Sequence, residues 1–441
     1  MNYAPPRFVD SGDDDPIKVE FRLLHLGQKK IVANLGPKNA IRCGRRFGKT
    51  TMLEEVFSKR AIRLRRKVGW LAEQYKLLSA TFASIRRRFA DVILKADANA
   101  SKIEFHGGGL IEFWTLDNED AGRSRDYDDL VIDEASLKKK GLREIVEQSL
   151  APTLLDRAGT TITMAGTPKG IDPDNYFYMA CEGDKTMGWK EFHAPTWENP
   201  WLDPVKVANL IHEHPPLVYQ QEFCALFVDW SGDAFFKIEN LLVDGQPVPE
   251  PAICDGVFLI IDSAVKTGKE RDGTAALILA YSKYPKPSVV LLDYDIVQIE
   301  GALLEKWLPA QMELGEKWAK RCRARTGFQG AFIEDKSSGT ILIQQGQRRF
   351  GPRKVRAIGS KLTAVGKEER ALDVSGYVWQ GLCKFGRECH DKIVRYKGQS
   401  ANHLRKQVTG FRVGVKDQVE DDLLDTFTYG LAITCGDAYG Y

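Results

Sequence analysis

An apolar strand running straight into a Gly-Lys-Thr, KNAIRCGRRFGKTT at residues 38–51, limits the folds open to this chain. A strand, a glycine-bearing loop and a helix start together point free backbone amides at an anion, and that junction belongs at the edge of a parallel sheet. The usual phosphate-binding loop opens on a glycine separated by four residues from its Gly-Lys-Ser/Thr. Here that opening position holds Cys43, and Arg45 and Arg46 fill the middle. Gly48 lets the backbone approach phosphates, Lys49 reaches the β- and γ-phosphates, and Thr50 offers its hydroxyl to Mg²⁺. Gly44, Arg45, Arg46, Gly48, Lys49, Thr50 and Thr51 are therefore the expected nucleotide contacts.

The surrounding pattern agrees. After KNAIRCG come KVGWLAE, GLIEFWTL, DLVIDEA and TTITMAGTP, each a short apolar run followed by a turn and a polar stretch. That alternation predicts a parallel sheet flanked by helices. At 441 residues the chain exceeds one typical core, so two domains are expected. A proline-rich region, DGQPVPEPAICDG, follows, and beyond it the texture changes to GVFLIIDSA, GTAALILAYS and PSVVLLDYDIV, three adjacent apolar strands that predict an antiparallel meander. The expected division is a first domain over 1–230, with a small lid at about 195–230, a linker over 231–250, and a second domain over 251–441.

Composition narrows the class. Sixty-three basic against 60 acidic residues leave a net charge of +3, so any nucleic-acid surface must come from local clusters such as RLRRK (63–67) and IRRRF (85–89). The eight cysteines form no CxxC pair, which speaks against a zinc site or a disulfide framework and for reduced thiols. No apolar stretch is long enough for a membrane span, and the first residues lack the features of a signal peptide, so an intracellular, membrane-free protein is expected.

DDLVIDEAS places Asp133 and Glu134 at the end of an apolar strand downstream of the Gly-Lys-Thr. Asp133 can hold the Mg²⁺ shell and Glu134 can activate a water for attack on the γ-phosphate. Thr167, at the end of TITMAGTPKG, is placed to sense that phosphate or water, and Gln28 in LLHLGQKKI is a candidate for the adenine edge. In the second half, acids again stand at strand and helix ends: Asp262 in FLIIDSA, Glu334 and Asp335 in AFIEDKSSG, and Asp421, Asp422 and Asp425 in QVEDDLLDTF. Carboxylates converging from separate elements suit two divalent ions that cleave a phosphodiester. Alternation along a strand turns Glu334 and Asp335 to opposite faces. Asp272, in KERDGTAA, is a candidate fourth ligand. Lys361, Lys367 and Arg370, in IGSKLTAVGKEERALDV, fit phosphate contacts that position DNA.

With these pieces in order, over roughly residues 20–435, the chain resembles the large terminase subunits of tailed bacteriophages, whose phosphate loop often lacks its first glycine and carries an arginine. The resemblance implies an α/β chain with a P-loop ATPase domain followed by an RNase H-like nuclease domain. It makes Arg45 a γ-phosphate contact within the subunit, Glu134 the catalytic glutamate, and Thr167 the residue coupling hydrolysis to movement. It also implies an arginine finger given to a neighbouring subunit, for which GRSRD offers Arg123 or Arg125. Asp262, Glu334 and Asp422 become the nuclease ligands, with Asp421 and Asp425 as rivals for the last place. The implied cofactors are ATP with Mg²⁺, and two Mg²⁺ or Mn²⁺ at the nuclease. The implied partners are double-stranded DNA, the portal protein of a procapsid, the small terminase subunit and further copies in a pentameric ring, in the host cytoplasm. A DExx-type helicase-nuclease is the alternative, although no second motor motif follows residue 250.

Overall fold

The computed structural model describes residues 19–117, 122, 125–138, 140–183, 185–230, 234–263, 273–298, 301–336, 338–413 and 421–436. The chain divides into two compact units, Met1–Leu210 with Pro216–Asp229, and Ile211–Pro215 with Trp230–Tyr441.

The first unit is built on an eight-stranded sheet. Its strands are β1 (Lys38–Cys43), β2 (Lys67–Ala72), β3 (Ile93–Asp97), β4 (Lys102–Phe105), β5 (Leu110–Thr115), β6 (Asp129–Asp133), β7 (Thr161–Gly166) and β8 (Lys190–Ala194). They lie in the order β3-β4-β5-β2-β6-β7-β1-β8. The six from β5 to β8 are parallel, and the β3–β4 hairpin adds an antiparallel edge. Both faces are covered, as a parallel sheet requires. Val68, Trp70 and Val131 pack on one face with α2 (Lys49–Leu64) and α3 (Tyr75–Arg88), whereas Leu71, Leu130 and Ile132 pack on the other. The five expected strands are all present. β3 and β8 are not legible in the sequence because they are edge strands with mostly exposed or half-exposed residues, such as KEFHA, and β4, inside β3, is only four residues long, KIEF.

The second unit carries a six-stranded sheet. It comprises β9 (Gly256–Ser263), β10 (Thr274–Tyr281), β11 (Val289–Val297), β12 (Phe328–Ile333), β13 (Val355–Ala357) and β14 (Cys383–Phe385), in the order β13-β12-β9-β10-β11-β14. β9, β10 and β11 form the expected antiparallel meander, and β12 and β13 add in parallel beside β9. This is the strand order of an RNase H-like domain. Alternation along β9 sends Phe258 and Ile260 to one core and Val257, Leu259 and Ile261 to the other. On the second of these faces lie α4 (Gly301–Arg321) and α5 (Ser338–Phe350); on the first lie α6 (Lys367–Trp379) and α7 (Asp422–Cys435). The described part of the 231–250 stretch packs within this unit rather than bridging as a linker. Phe236 and Leu241 are buried in its core, and Val248 bridges to Gly386. Phe236 is apolar enough to bury, and the partly buried Phe235 packs beside it.

All eight cysteines are free thiols, as expected. Among the described residues no helix is long and apolar enough to cross a membrane.

Candidate active sites

In the first unit the parallel strands end together on one edge, and their register decides what meets there. Asp133 pairs with Ala165, and Arg42 pairs with Gly166, so β7 sits between the acidic strand and the loop strand. Thr167, the next residue after β7, therefore emerges between the loop and the two acids, where it is largely buried. Lys49 Nζ lies 2.9 Å from Asp133 Oδ1 and 2.6 Å from Glu134 Oε1, and Thr50 Oγ1 donates to Asp133 Oδ2 at 2.9 Å. Burial opposes the charge on Lys49, but the carboxylates of Asp133 and Glu134 outweigh it and hold the ammonium firmly protonated. Glu134 sits at φ 50°, which turns the chain sharply at the strand end and sets the carboxylate beside Lys49.

The loop is held by backbone geometry. Gly48 caps α2 at φ 93°, a conformation other residues resist, and leaves the helix amides facing outward. A β-carbon on Gly44 would stand 2.5 Å from the Phe223 carbonyl and from Thr196 Oγ1, so glycine is required there. Cys43, in place of the usual first glycine, is fully buried in the core, and burial pushes its thiol far above the ordinary range. It serves as packing and is chemically inert.

Two expectations are altered here. Gln28 does not offer a free amide edge: its Nε2 donates to the Gly48 carbonyl at 2.9 Å and its Oε1 accepts from His25 N at 3.1 Å. It closes a capping box on α1 (Leu26–Ala33) and braces the loop. Arg45 is engaged by Glu222, with Nε 2.6 Å from Oε2, and Lys169 Nζ reaches the other oxygen of Glu222 at 3.4 Å. Glu222 is 2% exposed; burial works to raise its pKa, but Lys169 and Arg45 outweigh it and hold the carboxyl below the usual range. The same 195–230 region supplies Thr196 Oγ1 to the Arg45 carbonyl and Asn199 Nδ2 to the Arg46 carbonyl, both at 2.7 Å. Glu222, Thr196 and Asn199 carry no motif that sequence could reveal. Arg46 is exposed and Thr51 half-buried in the first turn of α2.

Arg123 lies outside the described residues. Arg125 is half-exposed, sits four residues before β6, contacts Glu112 Oε2 at 3.5 Å, and stands over the Trp114 ring. It does not join the Lys49–Asp133–Glu134 cluster.

In the second unit the same alternation assembles the acids. Asp262 follows Ile260 by two along β9, and Glu334 follows Phe332 by two from β12, so both turn to the face covered by α7. On α7, Asp422, Asp425 and Tyr429 share one side at a spacing of three and four. Asp262, Glu334 and Asp422 are each at most 9% exposed. Burial, together with the nearby Asp425, Glu334 and Asp422, pushes Asp262 well above the usual carboxylate range, and it shares a hydrogen bond with Glu334. Burial also works to raise Glu334, but hydrogen bonds with Lys336, Tyr429 and Asp262 outweigh it and hold the group low. Lys336 Nζ is 2.7 Å from Glu334 Oε1, and the Tyr429 hydroxyl donates to the same oxygen at 2.6 Å. Asp335 faces away and accepts from Thr340 Oγ1 at 2.6 Å.

The rivals separate. Asp422 Oδ2 accepts from Gly273 N at 3.1 Å, Asp421 is paired with Lys367, and Asp425 is paired with Arg370. Asp272 lies outside the described residues. Among the described residues no three acids already close around one centre as a finished ligand cage. Crowded, buried oxygen ligands with a strongly raised Asp262 nevertheless fit a hard divalent cation, which would relieve their repulsion.

Of the expected DNA contacts, Arg370 is corrected. It is 4% exposed, donates to Thr428 Oγ1 and to the Val365 carbonyl at 3.0 Å each, pairs with Asp425 and stacks on Tyr429. A helix interior position with a carboxylate facing it has made it a structural cation. Arg370→Ala should therefore destabilise the second unit by about 3–5 kcal/mol, because it strands a buried carboxylate. Chemical denaturation of the full chain would measure this. Lys367 is half-buried against Asp421, and Lys361 alone of the three is exposed.

No family model matches the sequence. The large terminase subunit of Escherichia phage T5 is 24% identical over 194 residues, 43% of this chain and 44% of that protein. The chain thus spans less than half the length of that relative. The large terminase from a thermophilic bacteriophage matches in fold with a TM-score of 0.61 at 13% identity, over 94% of this chain and 100% of that one. The same protein in complex with ATP-gamma-S gives a TM-score of 0.61 at 14% identity, over 92% of this chain and 98% of that one. In sequence over part of its length, and in fold over nearly all of it, the chain is similar to bacteriophage large terminases.

Proposed function

We propose that this chain is the large terminase subunit of a tailed bacteriophage, an ATPase that drives double-stranded DNA into a procapsid and a metal-dependent endonuclease that cuts concatemeric viral DNA. One observation carries the reading: a single chain holds Lys49, Thr50, Asp133 and Glu134 together at a parallel-sheet edge, and Asp262, Glu334 and Asp422 together in a second unit.

In the first unit the amides at the start of α2 and Lys49 would bind the β- and γ-phosphates of ATP. Thr50 and Asp133 would hold Mg²⁺, which when bound neutralises phosphate charge. Phosphates competing for Lys49 would release Glu134 to orient the attacking water. Arg45 would exchange Glu222 for the γ-phosphate, and Thr167 would relay hydrolysis to movement. Arg123 or Arg125 would act on the site of a neighbouring copy in a ring of five seated on the portal, with the small terminase subunit as a further partner.

In the second unit Asp262, Glu334 and Asp422 would hold Mg²⁺ or Mn²⁺. When bound, these cations lower the cost of ionising water and of expelling the leaving oxygen. Asp425, tied to Arg370, would brace α7, and, with its charge acting on Asp262, it stays with Asp421 a rival to Asp422 for the last ligand place. The test is to assay ATP hydrolysis and DNA cutting on one preparation, with one site disabled at a time. Independent loss of the two activities supports the reading, and joint loss with the fold intact contradicts it.

A further inference from the structure

With Arg370 committed to Asp425, and Lys367 to Asp421, the second unit needs another way to hold DNA near its carboxylates. A groove of about 570 Å³ lies at the same sheet end. Its floor is the end of β11, where Val297 is opposite Thr274, and Thr274 in turn is opposite Ser263, the neighbour of Asp262. Two strand spacings, roughly 10 Å, therefore separate the floor from the strand that carries Asp262.

One wall is Lys306 and Trp307 of α4; the other is Arg395, Tyr396 and Lys397. The last three belong to a hairpin that pairs Val394–Tyr396 with Gln399–Ala401. Its two turn residues, Lys397 at φ 45° and Gly398 at φ 78°, have the left-handed geometry that suits a tight hairpin, and this fixes Arg395 and Lys397 at its tip. Among the described residues three cations line the groove, and no acid does. The acids of β11 are used beneath it: Asp295 Oδ2 accepts from Trp307 Nε1 at 2.8 Å and Gln311 Nε2 at 2.9 Å, and Asp293 Oδ1 lies 2.7 Å from Lys392 Nζ. Lys306, Arg395 and Lys397 remain exposed.

The hairpin also touches the active site. A β-carbon added at Gly273 would stand 2.5 Å from the Tyr396 hydroxyl and 3.1 Å from Asp422 Oδ2. Gly273 N donates to that same Asp422 oxygen. Only a glycine lets the hairpin approach this closely.

We infer that this groove binds the phosphodiester backbone of the DNA duplex and lays the strand to be cut across Asp262, Glu334 and Asp422. The inference rests on the nuclease reading above. Tyr396 is 3% exposed, so its ring is not offered to bases, and the Trp307 N–H is already donated to Asp295. The contacts are to phosphate and are independent of sequence.

The test is cutting by the full chain of a linear duplex with the double variant Arg395→Gln/Lys397→Gln. KM for DNA should rise about 10-fold, and the salt dependence of log affinity should fall by about 2, roughly one per lost phosphate contact. The kcat at saturating DNA should stay within about twofold, as should ATP hydrolysis without DNA, since the groove only positions the backbone. Lys283→Gln, an exposed change just past the far end of β10 from the groove, should alter none of these. An unchanged KM and salt slope, a fall in kcat alone, or an equal effect from Lys283→Gln would each overturn the groove while leaving the nuclease reading standing. Failure of the unaltered chain to cut DNA with Mg²⁺ or Mn²⁺ would overturn both.

Discussion

Lys49→Ala should lower ATP hydrolysis by at least about 10²–10³-fold, the scale seen when one positioned charge is removed from a transition state. It should leave metal-dependent DNA cutting unchanged. The reason is visible around the side chain. Lys49 is the cation shared by Asp133 and Glu134, so its loss removes phosphate binding and also leaves two acids facing each other. Because that repulsion could disturb the first unit, Glu134→Gln is the companion variant. It keeps Lys49 and one hydrogen-bonding oxygen, and it should retain nucleotide binding while losing hydrolysis to a similar degree. Steady-state phosphate release and equilibrium binding of a labelled ATP analogue, measured together, distinguish the two.

Asp262→Asn should abolish DNA cutting, leave ATP hydrolysis intact, and raise the melting temperature of the second unit in metal-free buffer. The last effect follows from the crowding of acids. Burial, Asp425, Glu334 and Asp422 all push the Asp262 carboxyl upward, so the folded state prefers it protonated. Stability from such a group is full below its unfolded pKa and is lost as pH rises through the folded value. At neutral pH the ionised form is a strain on the metal-free fold, and a neutral amide removes it. Melting curves in chelator should fall with rising pH for the unaltered chain, and the dependence should be weaker for Asp262→Asn. Lost cutting with lowered stability would instead mean that Asp262 acts as a structural acid. Function maintained at the expense of local stability is the pattern expected of an active site.

Much of this is legible in the chain. Continuous apolar strands such as GVFLIIDS announce central positions, and the acids at their ends follow from where such strands stop. The alternation that turns Glu334 inward and Asp335 outward can be read one residue at a time. What stays hidden is tertiary. Glu222, 177 positions from Arg45, sits in a helical run with no motif, yet it is the carboxylate that engages that arginine. Arg370 looks in sequence like a surface cation on a charged helix; only the packing of α6 on α7 reveals Asp425 and Tyr429 against it. Gln28 stands out in the sequence for the wrong reason, since a capping box and a loop brace use the same amide that would read a base. The edge strands β3 and β8, and the four-residue β4 beside β3, escape a sequence reading because half-exposed or very short strands lack apolar runs.

The most direct test is packaging itself, with purified portal-bearing procapsids, ATP and linear duplex DNA. The account predicts nuclease-protected DNA with the unaltered chain and with Asp262→Asn, and none with Lys49→Ala. Robust ATP-driven strand separation without procapsids, and no protected DNA with them, would contradict it and favour a helicase-nuclease.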